Sequence, residues 1–376
     1  MDKLNDLKAL IVGGGVGGMA TALCLRQLGV AVDLIDKDRE WRVTGAGITV
    51  TRPTLRAIKA LNLLEEFLEV GFAGNGIQVC NVNGQPVTHL PDPDLDENLP
   101  GSGGVMRPDL HRIMSRRVRD VGTDVRLGCT VDSFDQVNDA VEVRFSDGET
   151  RSYSFMVGAD GVFSTTRAAI FPHADRAEYT GQTVWRLYTT RPAGIAQRHF
   201  FLGGPYKIGL SPVSQTHMYM FLLQVGPRPP IYPVEQLHIH LQDLLASYGG
   251  VLAGIRDSLT VDSVINVRPL EAFLLPAPWY SGRIILVGDA AHPTTPQLAS
   301  GAGMAIEDGL VLGDELLRSG GDVARTFAAF MARRYDRCRL VTENSIEIGR
   351  REQDGRPPEE HTILVEQSLA KLAEPF

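Results

Sequence analysis

Three glycines and one aspartate near the start of the chain have the types and spacing that bind a dinucleotide. Gly13, Gly15 and Gly18 form a G-x-G-x-x-G sequence, and Asp36 follows about 20 residues later. Glycines here let the backbone turn tightly and approach a pyrophosphate, and the acidic residue accepts a ribose hydroxyl. The same glycines would suit a tight turn in an unrelated α/β fold, and the pattern does not distinguish FAD from NAD.

The elements predicted around these glycines support the dinucleotide interpretation. Residues 8–12 are predicted as a buried strand, and the helical pattern that follows GGGVGG ends at Gly29. Residues 30–36 are predicted as a second strand with Asp36 at its end. In this order the helix amino terminus faces the phosphates, where its free N–H groups stabilise negative charge. We therefore predict the first half of a nucleotide-binding βαβ unit.

The composition is that of a globular chain enriched in glycine. Its 376 residues include 39 glycines, 43% hydrophobic residues and 22% charged residues, which excludes collagen-like and disordered classes. The net charge of −8 argues against nucleic-acid or anionic-membrane partners. The cysteines show no metal-ligand spacing, so we expect buried thiols, no metal and a cytoplasmic setting: Cys24, Cys80, Cys129 and Cys338.

The rest of the chain shows patterns typical of strands, of a long loop and of helices. Residues 180–224 alternate with a period of two, which predicts an antiparallel sheet. Strands are also predicted at 124–131, 140–145 and 151–159, and residues 154–159 and 283–288 are apolar like buried strands and run into GADG and GDAAHP. Residues 91–104 are a loop rich in proline and aspartate. Helices are predicted at 53–70, from Arg107, at 235–247, from near Gly301, at 322–348 and, after a polar break at 351–360, near the end of the chain.

Three motifs in order carry a resemblance to a known family. GGGVGG with Asp36, GADG with Ser164 and Arg167, and GDAAHPTTP…GAGMAIED resemble the flavin-dependent aromatic hydroxylases. These are single-component monooxygenases of the para-hydroxybenzoate hydroxylase type. Arg107 in RPDL also matches a recurrent arginine of that family, and the resemblance covers roughly residues 8–345.

The resemblance implies an α/β fold with interleaved domains. A Rossmann-like, glutathione-reductase-like FAD-binding domain would comprise residues 1–72, 101–176 and 268–345. An inserted antiparallel-sheet substrate domain would comprise residues 73–100 and 177–267, and residues 346–376 would form a C-terminal helical extension.

The resemblance also implies which residues bind FAD. The glycines would carry the pyrophosphate, Asp36 the adenosine ribose, Val131 the adenine through its backbone, and Asp289 the ribityl or phosphate side. Arg42 and Arg107 would approach the pyrophosphate and ribityl chain, and Asp160 would support the GADG motif. The full set is Gly13, Gly15, Val16, Gly17, Gly18, Asp36, Lys37, Arg42, Gly47, Arg107, Val131, Asp160, Asp289, Gly301, Ala302, Gly303 and Met304.

A physical argument supports the last four of these residues. Reduction leaves negative charge on the N1–C2=O edge of a flavin, and a helix amino terminus beginning at GAGM would stabilise it. The alternative is a glycine-rich helix start that merely packs closely.

The implied reaction is hydroxylation of a small aromatic or heteroaromatic substrate by NAD(P)H and O2 through a flavin C4a-hydroperoxide. Pro296 would lie over the reactive face of the flavin, and Lys207, Tyr219 and Thr49 are the substrate-side candidates. Each of these three has an equally weighted alternative: a solvated strand residue, a core aromatic residue and a strand-forming threonine. Arg186 is interpreted as organising the sheet without a chemical role, and His292 as structural.

Two related classes are disfavoured. A second G-x-G-x-x-G after a strand is missing, so we expect transient NAD(P)H contact rather than a separate NADPH domain. The tryptophans Trp41, Trp185 and Trp279 lie too far apart for the W-x-W-x-I-P motif of flavin halogenases. A reductase or dehydrogenase on the same fold, and an FAD-containing binding protein without turnover, remain as alternatives. The chain could act as a monomer or a homodimer.

Overall fold

The structure is a computed structural model that describes residues 2–43, 45–92, 95, 96 and 98–376. The loop predicted at 91–104 therefore lies partly outside the described residues. The strands in chain order are β1 (Lys8–Val12), β2 (Ala31–Asp36), β3 (Gly47–Val50), β4 (Phe72–Ala73), β5 (Ile77–Cys80), β6 (Pro86–Leu90), β7 (Gly103–Met106), β8 (Asp124–Leu127), β9 (Val131–Val137), β10 (Ala140–Phe145), β11 (Thr150–Tyr153), β12 (Phe155–Gly158), β13 (Glu178–Thr190), β14 (Arg198–Phe201), β15 (Lys207–Pro212), β16 (His217–Val225), β17 (Val264–Ala272), β18 (Tyr280–Ser281) and β19 (Ile284–Leu286). The α-helices are α1 (Asp2–Asn5), α2 (Val16–Gln27), α3 (Arg52–Ala60), α4 (Leu64–Val70), α5 (Arg107–Asp120), α6 (Thr165–Ile170), α7 (Leu237–Leu244), α8 (Gly250–Ser258), α9 (Gly301–Arg318), α10 (Val323–Gln353) and α11 (Pro358–Ala373).

A six-stranded sheet in the order β18-β19-β12-β1-β2-β8 forms the nucleotide-binding half of the molecule. Its strands are parallel except for β18. The strands are short apolar runs such as KALIV and FMVG, as expected for strands covered by helices on both faces. Because β1, β12 and β19 are neighbours and parallel, the three motifs that follow them emerge at one edge of the sheet. The Rossmann-like expectation is confirmed.

A seven-stranded sheet forms the other half, in the order β17-β13-β16-β15-β14-β5-β6. Its pairs are antiparallel except for β14 with β5. The predicted antiparallel sheet is therefore confirmed, and the β5–β6 hairpin joins it from a distant part of the chain. The exact domain boundaries given above stay predictions.

Three predicted elements differ from the structure. The helix expected at 53–70 is divided into α3 and α4, because Asn62 between them adopts a left-handed φ of 57°, which asparagine tolerates better than most residues. The strand expected at 151–159 is divided at Ser154 into β11 and β12, which belong to different sheets. The polar break begins later than expected, because α10 continues to Gln353.

Buried side chains fill both halves. One cluster lies between the parallel sheet and helices α2, α5, α9 and α10, and another lies under the seven-stranded sheet against α7 and α8. All four cysteines are buried and unpaired, as predicted, and burial raises the pKa of Cys24 to about 12. Within the described part of the chain, no helix has the length and apolar character needed to cross a membrane.

Candidate active site

A cavity of about 400 Å³ lies between the motif-bearing edge of the parallel sheet and one face of the seven-stranded sheet. All three sequence motifs contribute to its wall, although they are separated by well over 100 residues in the chain. The predicted site residues that line it are Gly15, Val16, Gly17, Gly47, Thr49, Arg107, Lys207, Tyr219, Asp289, Pro296, Gly301 and Ala302.

Several predicted residues lie behind this wall and shape it. Gly13 has a left-handed φ of 106°, and a Cβ on Gly18 would collide with the Gly13 carbonyl oxygen. The Asp36 carboxylate accepts hydrogen bonds from the backbone N–H groups of Gly14 and Asp38, each at 2.8 Å. These residues therefore hold the glycine turn in place.

The GADG motif and the start of α9 also contain predicted residues that lie behind the cavity wall. Asp160 accepts hydrogen bonds from the Ser164 hydroxyl at 2.5 Å and from the Thr166 N–H at 2.9 Å, which link it to the residues that follow GADG. A Cβ on Gly303 would collide with the Thr54 hydroxyl, and Met304 is buried. Asp160, Gly303 and Met304 do not line the cavity.

Three other predicted residues lie away from the cavity. The Arg42 side chain is 66% exposed and pairs with Glu40 at 3.1 Å. Lys37 is exposed, and Val131 begins β9 in a separate three-stranded sheet. The structure does not bring these side chains to the cavity wall, and their contact with a cofactor stays a prediction.

Two helix amino termini open into the cavity. At α2 the N-cap residue is Gly15, where a Cβ would meet no atom within 4 Å. At α9 the N-cap residue is Ser300, but its hydroxyl donates to the Leu298 carbonyl at 2.8 Å and does not cap the helix. Both helices therefore present free N–H groups, with partial positive charge, to a ligand in the cavity.

Several polar groups on the cavity wall have no hydrogen-bond partner among the described residues. Asp289 is exposed to the cavity and makes no hydrogen bond or ion pair with any described residue, and the surrounding protein raises the pKa of its carboxyl group by desolvation. Three further lining residues have buried atoms without a partner among the described residues: His111 Nε2, Thr295 Oγ1 and Gln297 Oε1. Because unpaired buried polar atoms are destabilising, this set indicates a site built for a polar ligand. The sequence analysis did not single out His111, Thr295 or Gln297, although Thr295 lies within GDAAHPTTP and the other two directly follow quoted motifs.

Tyr219 lies on the sheet side of the cavity within a chain of hydroxyl groups. Its Oη is 2.5 Å from Thr49 Oγ1, which is 3.2 Å from Ser211 Oγ. Gly47 is required beside this chain, because a Cβ there would collide with the Tyr219 ring. Tyr219 and Thr49, two predicted substrate-side residues, are thus brought into direct contact.

Lys207 lines the same wall, and its positive charge is already paired with a carboxylate. Its Nζ donates to Glu352 Oε1 at 2.7 Å. Glu352, near the end of α10, also accepts from Gln182 at 3.3 Å and from Gln297 at 3.4 Å. Burial opposes ionisation of Glu352, but Lys207 outweighs it and lowers the pKa of that carboxyl group. The predicted role of Lys207 as a cationic partner of the substrate stays a prediction.

Arg186 also lines the cavity, although the sequence analysis assigned it no chemistry. Its guanidinium makes no hydrogen bond or ion pair with the described residues. The sequence contained one signal that could have identified it: Arg186 lies in the middle of the otherwise apolar strand segment VWRL.

A buried charged cluster supports the loop after β19. The Asp308 carboxylate accepts hydrogen bonds from the Gly288 N–H at 2.8 Å, His292 at 2.7 Å and Arg334 at 2.8 Å. Burial works against a charged His292, but the Asp308 carboxylate outweighs it and raises the pKa of His292. His292, Asp308 and Cys338 are close enough to share a metal ion. The Arg334 guanidinium already donates to the Asp308 carboxylate. We therefore interpret the cluster as structural, which is the role that the sequence analysis gave to His292.

Comparisons with known proteins agree with this geometry. Residues 6–321 match the family described as FAD binding domain. The chain is 31% identical over 356 residues to the “Putative FAD-dependent monooxygenase YetM” of Bacillus subtilis, covering 94% of this chain and 96% of that protein. It is 29% identical over 349 residues to 2-heptyl-3-hydroxy-4(1H)-quinolone synthase of Pseudomonas aeruginosa, covering 92% and 89%. Its fold matches that of Klebsiella pneumoniae HpxO, solved with FAD and uric acid, with a TM-score of 0.80 at 23% identity, covering 98% and 93%.

Proposed function

Because this chain belongs to the FAD-binding domain family and is an FAD-dependent monooxygenase of the aromatic hydroxylase type, we propose that it hydroxylates a small aromatic or heteroaromatic compound with NAD(P)H and O2. The observation that carries the proposal is the convergence of two uncapped helix amino termini, unpaired polar atoms and an apolar sheet face on one cavity. The buried, unpaired cysteines agree with a cytoplasmic setting.

The residues on the motif side fit FAD. The amino terminus of α2 suits the pyrophosphate, and that of α9 suits the flavin edge that gains negative charge on reduction. Asp289 and His111 Nε2 supply unpaired polar atoms for the remainder of the cofactor. Bound FAD supplies the redox chemistry with O2, which no protein side chain can provide.

The residues on the sheet side suit a flat, apolar substrate that carries a hydroxyl group. Val184, Phe200, Phe221, Leu223 and Leu270 line this wall and exclude water. The chain from Tyr219 Oη through Thr49 Oγ1 to Ser211 Oγ can accept a hydrogen bond from a substrate hydroxyl, which orients the ring and increases the electron density on the substrate oxygen. The heteroaromatic product named for the Pseudomonas relative and the uric acid bound to HpxO are compatible with such a wall.

The direct test uses the purified FAD-loaded protein with a panel of phenols, aromatic acids, quinolones and purines. We expect at least one compound to accelerate NADH or NADPH oxidation and to gain one atom of oxygen from ¹⁸O2, detected by mass spectrometry. Turnover that continues without O2 and yields a reduced product would favour the reductase alternative. Oxidation of NAD(P)H that no aromatic compound accelerates, with no oxygenated product, would contradict the hydroxylase.

A further inference from the structure

The Arg186 guanidinium faces the cavity from the middle of β13, on the same side of the strand as Val184. Its cross-strand neighbours are Phe221 in β16 and Asn266 in β17. The wall around it is apolar, with Val184, Phe221 and Leu223. No carboxylate or other acceptor among the described residues pairs with it.

This surrounding destabilises the positive charge of Arg186. Burial lowers its pKa to about 10, and the positive charges of Arg107 and Arg268 act in the same direction, while Tyr219 acts against them. A guanidinium removed from water without an acceptor loses solvation that nothing in the protein replaces. The structure therefore holds a cation in an unfavourable state that a negatively charged ligand would relieve.

The other charged groups at the cavity are either paired or lie on its motif side. Lys207 is neutralised by Glu352 at 2.7 Å. Arg107 starts α5 on the motif side, where its side chain lies against Gly45. Asp289 follows β19 on the same motif side and is an acidic group rather than a cation. Arg186 is thus the cation that the sheet wall offers to a substrate.

We propose that Arg186 binds a carboxylate on the substrate, so that the enzyme selects aromatic acids over their neutral analogues. This inference rests on the proposed function and specifies the substrate class of that site. The planar guanidinium can donate two parallel hydrogen bonds to a carboxylate, which fixes the ring in one orientation beside Tyr219. Arg186 acts as a binding and specificity residue.

Binding to the FAD-loaded protein without NAD(P)H tests the inference independently of turnover. Three acid and amide pairs are titrated at pH 7.5 while the flavin absorbance is followed: benzoate with benzamide, 3-hydroxybenzoate with 3-hydroxybenzamide, and quinoline-4-carboxylate with its amide. We expect the acid of at least one pair to bind about tenfold or more tightly than its amide, as for a hydrogen bond to a charged group. Arg186→Gln should bring that ratio close to one, and Arg186→Lys should retain part of it.

Arg268→Gln is the control for the loss of a nearby positive charge, because Arg268 acts on Arg186 through its charge but is exposed on the neighbouring strand β17, outside the cavity lining. It should leave the preference for the acid in place. Failure of every acid to bind more tightly than its amide would overturn the inference, as would an unchanged ratio in Arg186→Gln. Loss of FAD in both Arg186 variants with the ratio retained would instead assign the guanidinium to the cofactor. If the protein hydroxylates neutral aromatic compounds and shows no preference for acids, the proposed function stands and this inference is overturned.

Discussion

At the scale of single residues, Asp289 is the acidic group that the fold holds at the cavity without a partner among the described residues. It follows β19 directly, and the adjacent Gly288 N–H is held by Asp308 at 2.8 Å. The backbone at this position is therefore fixed, and the exposed carboxylate is open to a ligand in the cavity. Its place on the wall with Gly15 and Gly301 is the reason to assign it to FAD.

We expect Asp289→Asn to weaken FAD binding by about 10- to 100-fold, because a hydrogen bond to a charged group contributes roughly 1.5–3 kcal/mol. The measurement is the flavin-to-protein absorbance ratio after dialysis, with the affinity from titration of the apoprotein. Asp336→Asn is the control, since that side chain is 82% exposed on α10. Equal flavin content in the Asp289 variant and the wild type would refute the assignment.

At the scale of elements, the close packing of α2 against α9 directs both amino termini to the same cavity. Gly309 and Gly313 on α9 face Thr21 and Cys24 on α2, and a Cβ on Gly313 would already lie 3.0 Å from the Cys24 Cβ. Because both helices start at the carboxyl edge of the parallel sheet, their approach sets the distance between the two anion-binding ends.

Gly309→Ala should disturb this approach. Its Cβ would lie 2.6 Å from the Thr21 backbone nitrogen, so the helices must separate, and we expect a loss of about 1–3 kcal/mol in the free energy of unfolding. Thermal and urea unfolding measure the effect. In the control Gly254→Ala, on α8, the Cβ meets no atom within 4 Å, and better helix propensity should leave stability unchanged or raised by up to about 1 kcal/mol. A Gly309 variant as stable as the wild type would rule out the packing argument.

At the scale of the whole molecule, α10 ties the two halves together. Arg334 on this helix bonds Asp308 at 2.8 Å in the nucleotide-binding half. Near its other end, Glu352 bonds Lys207 at 2.7 Å and Gln353 donates to the Thr180 carbonyl at 3.0 Å in the seven-stranded sheet. The helix therefore fixes how the sheet wall faces the motif wall.

Glu352→Gln should lower the free energy of unfolding by about 1–3 kcal/mol, because it leaves the half-buried Lys207 ammonium without a counter-charge. The double variant Lys207→Met with Glu352→Gln should recover part of this loss, and urea unfolding of the wild type, both single variants and the double variant gives the coupling energy. Glu347→Gln, in an exposed ion-pair network with Arg350 and Arg351, is the control and should lose 1 kcal/mol or less. Purely additive effects of the two substitutions would show that the pair does not stabilise the docking.

The fold was predictable in outline because its signals are local. Apolar strands, period-two alternation and glycine turns are visible within short windows, and they indicated both sheets. The break at Asn62 was missed because one left-handed residue interrupts a helical pattern without changing its hydrophobic period. The division at Ser154 was missed because it depends on which partner strands the two pieces find.

The sequence by itself determined the three glycine motifs, the strands that precede them and the family they indicate, since each depends on neighbouring residues. Only the tertiary structure decided which charges at the cavity are free. Lys207 and Arg186 are both cations in predicted strands, and nothing local distinguishes them. Glu352, 145 residues further along the chain, folds back onto Lys207, whereas Arg186 has no partner among the residues that the structure describes. Charge compensation depends on contacts between distant segments, and these exist only once the chain has folded.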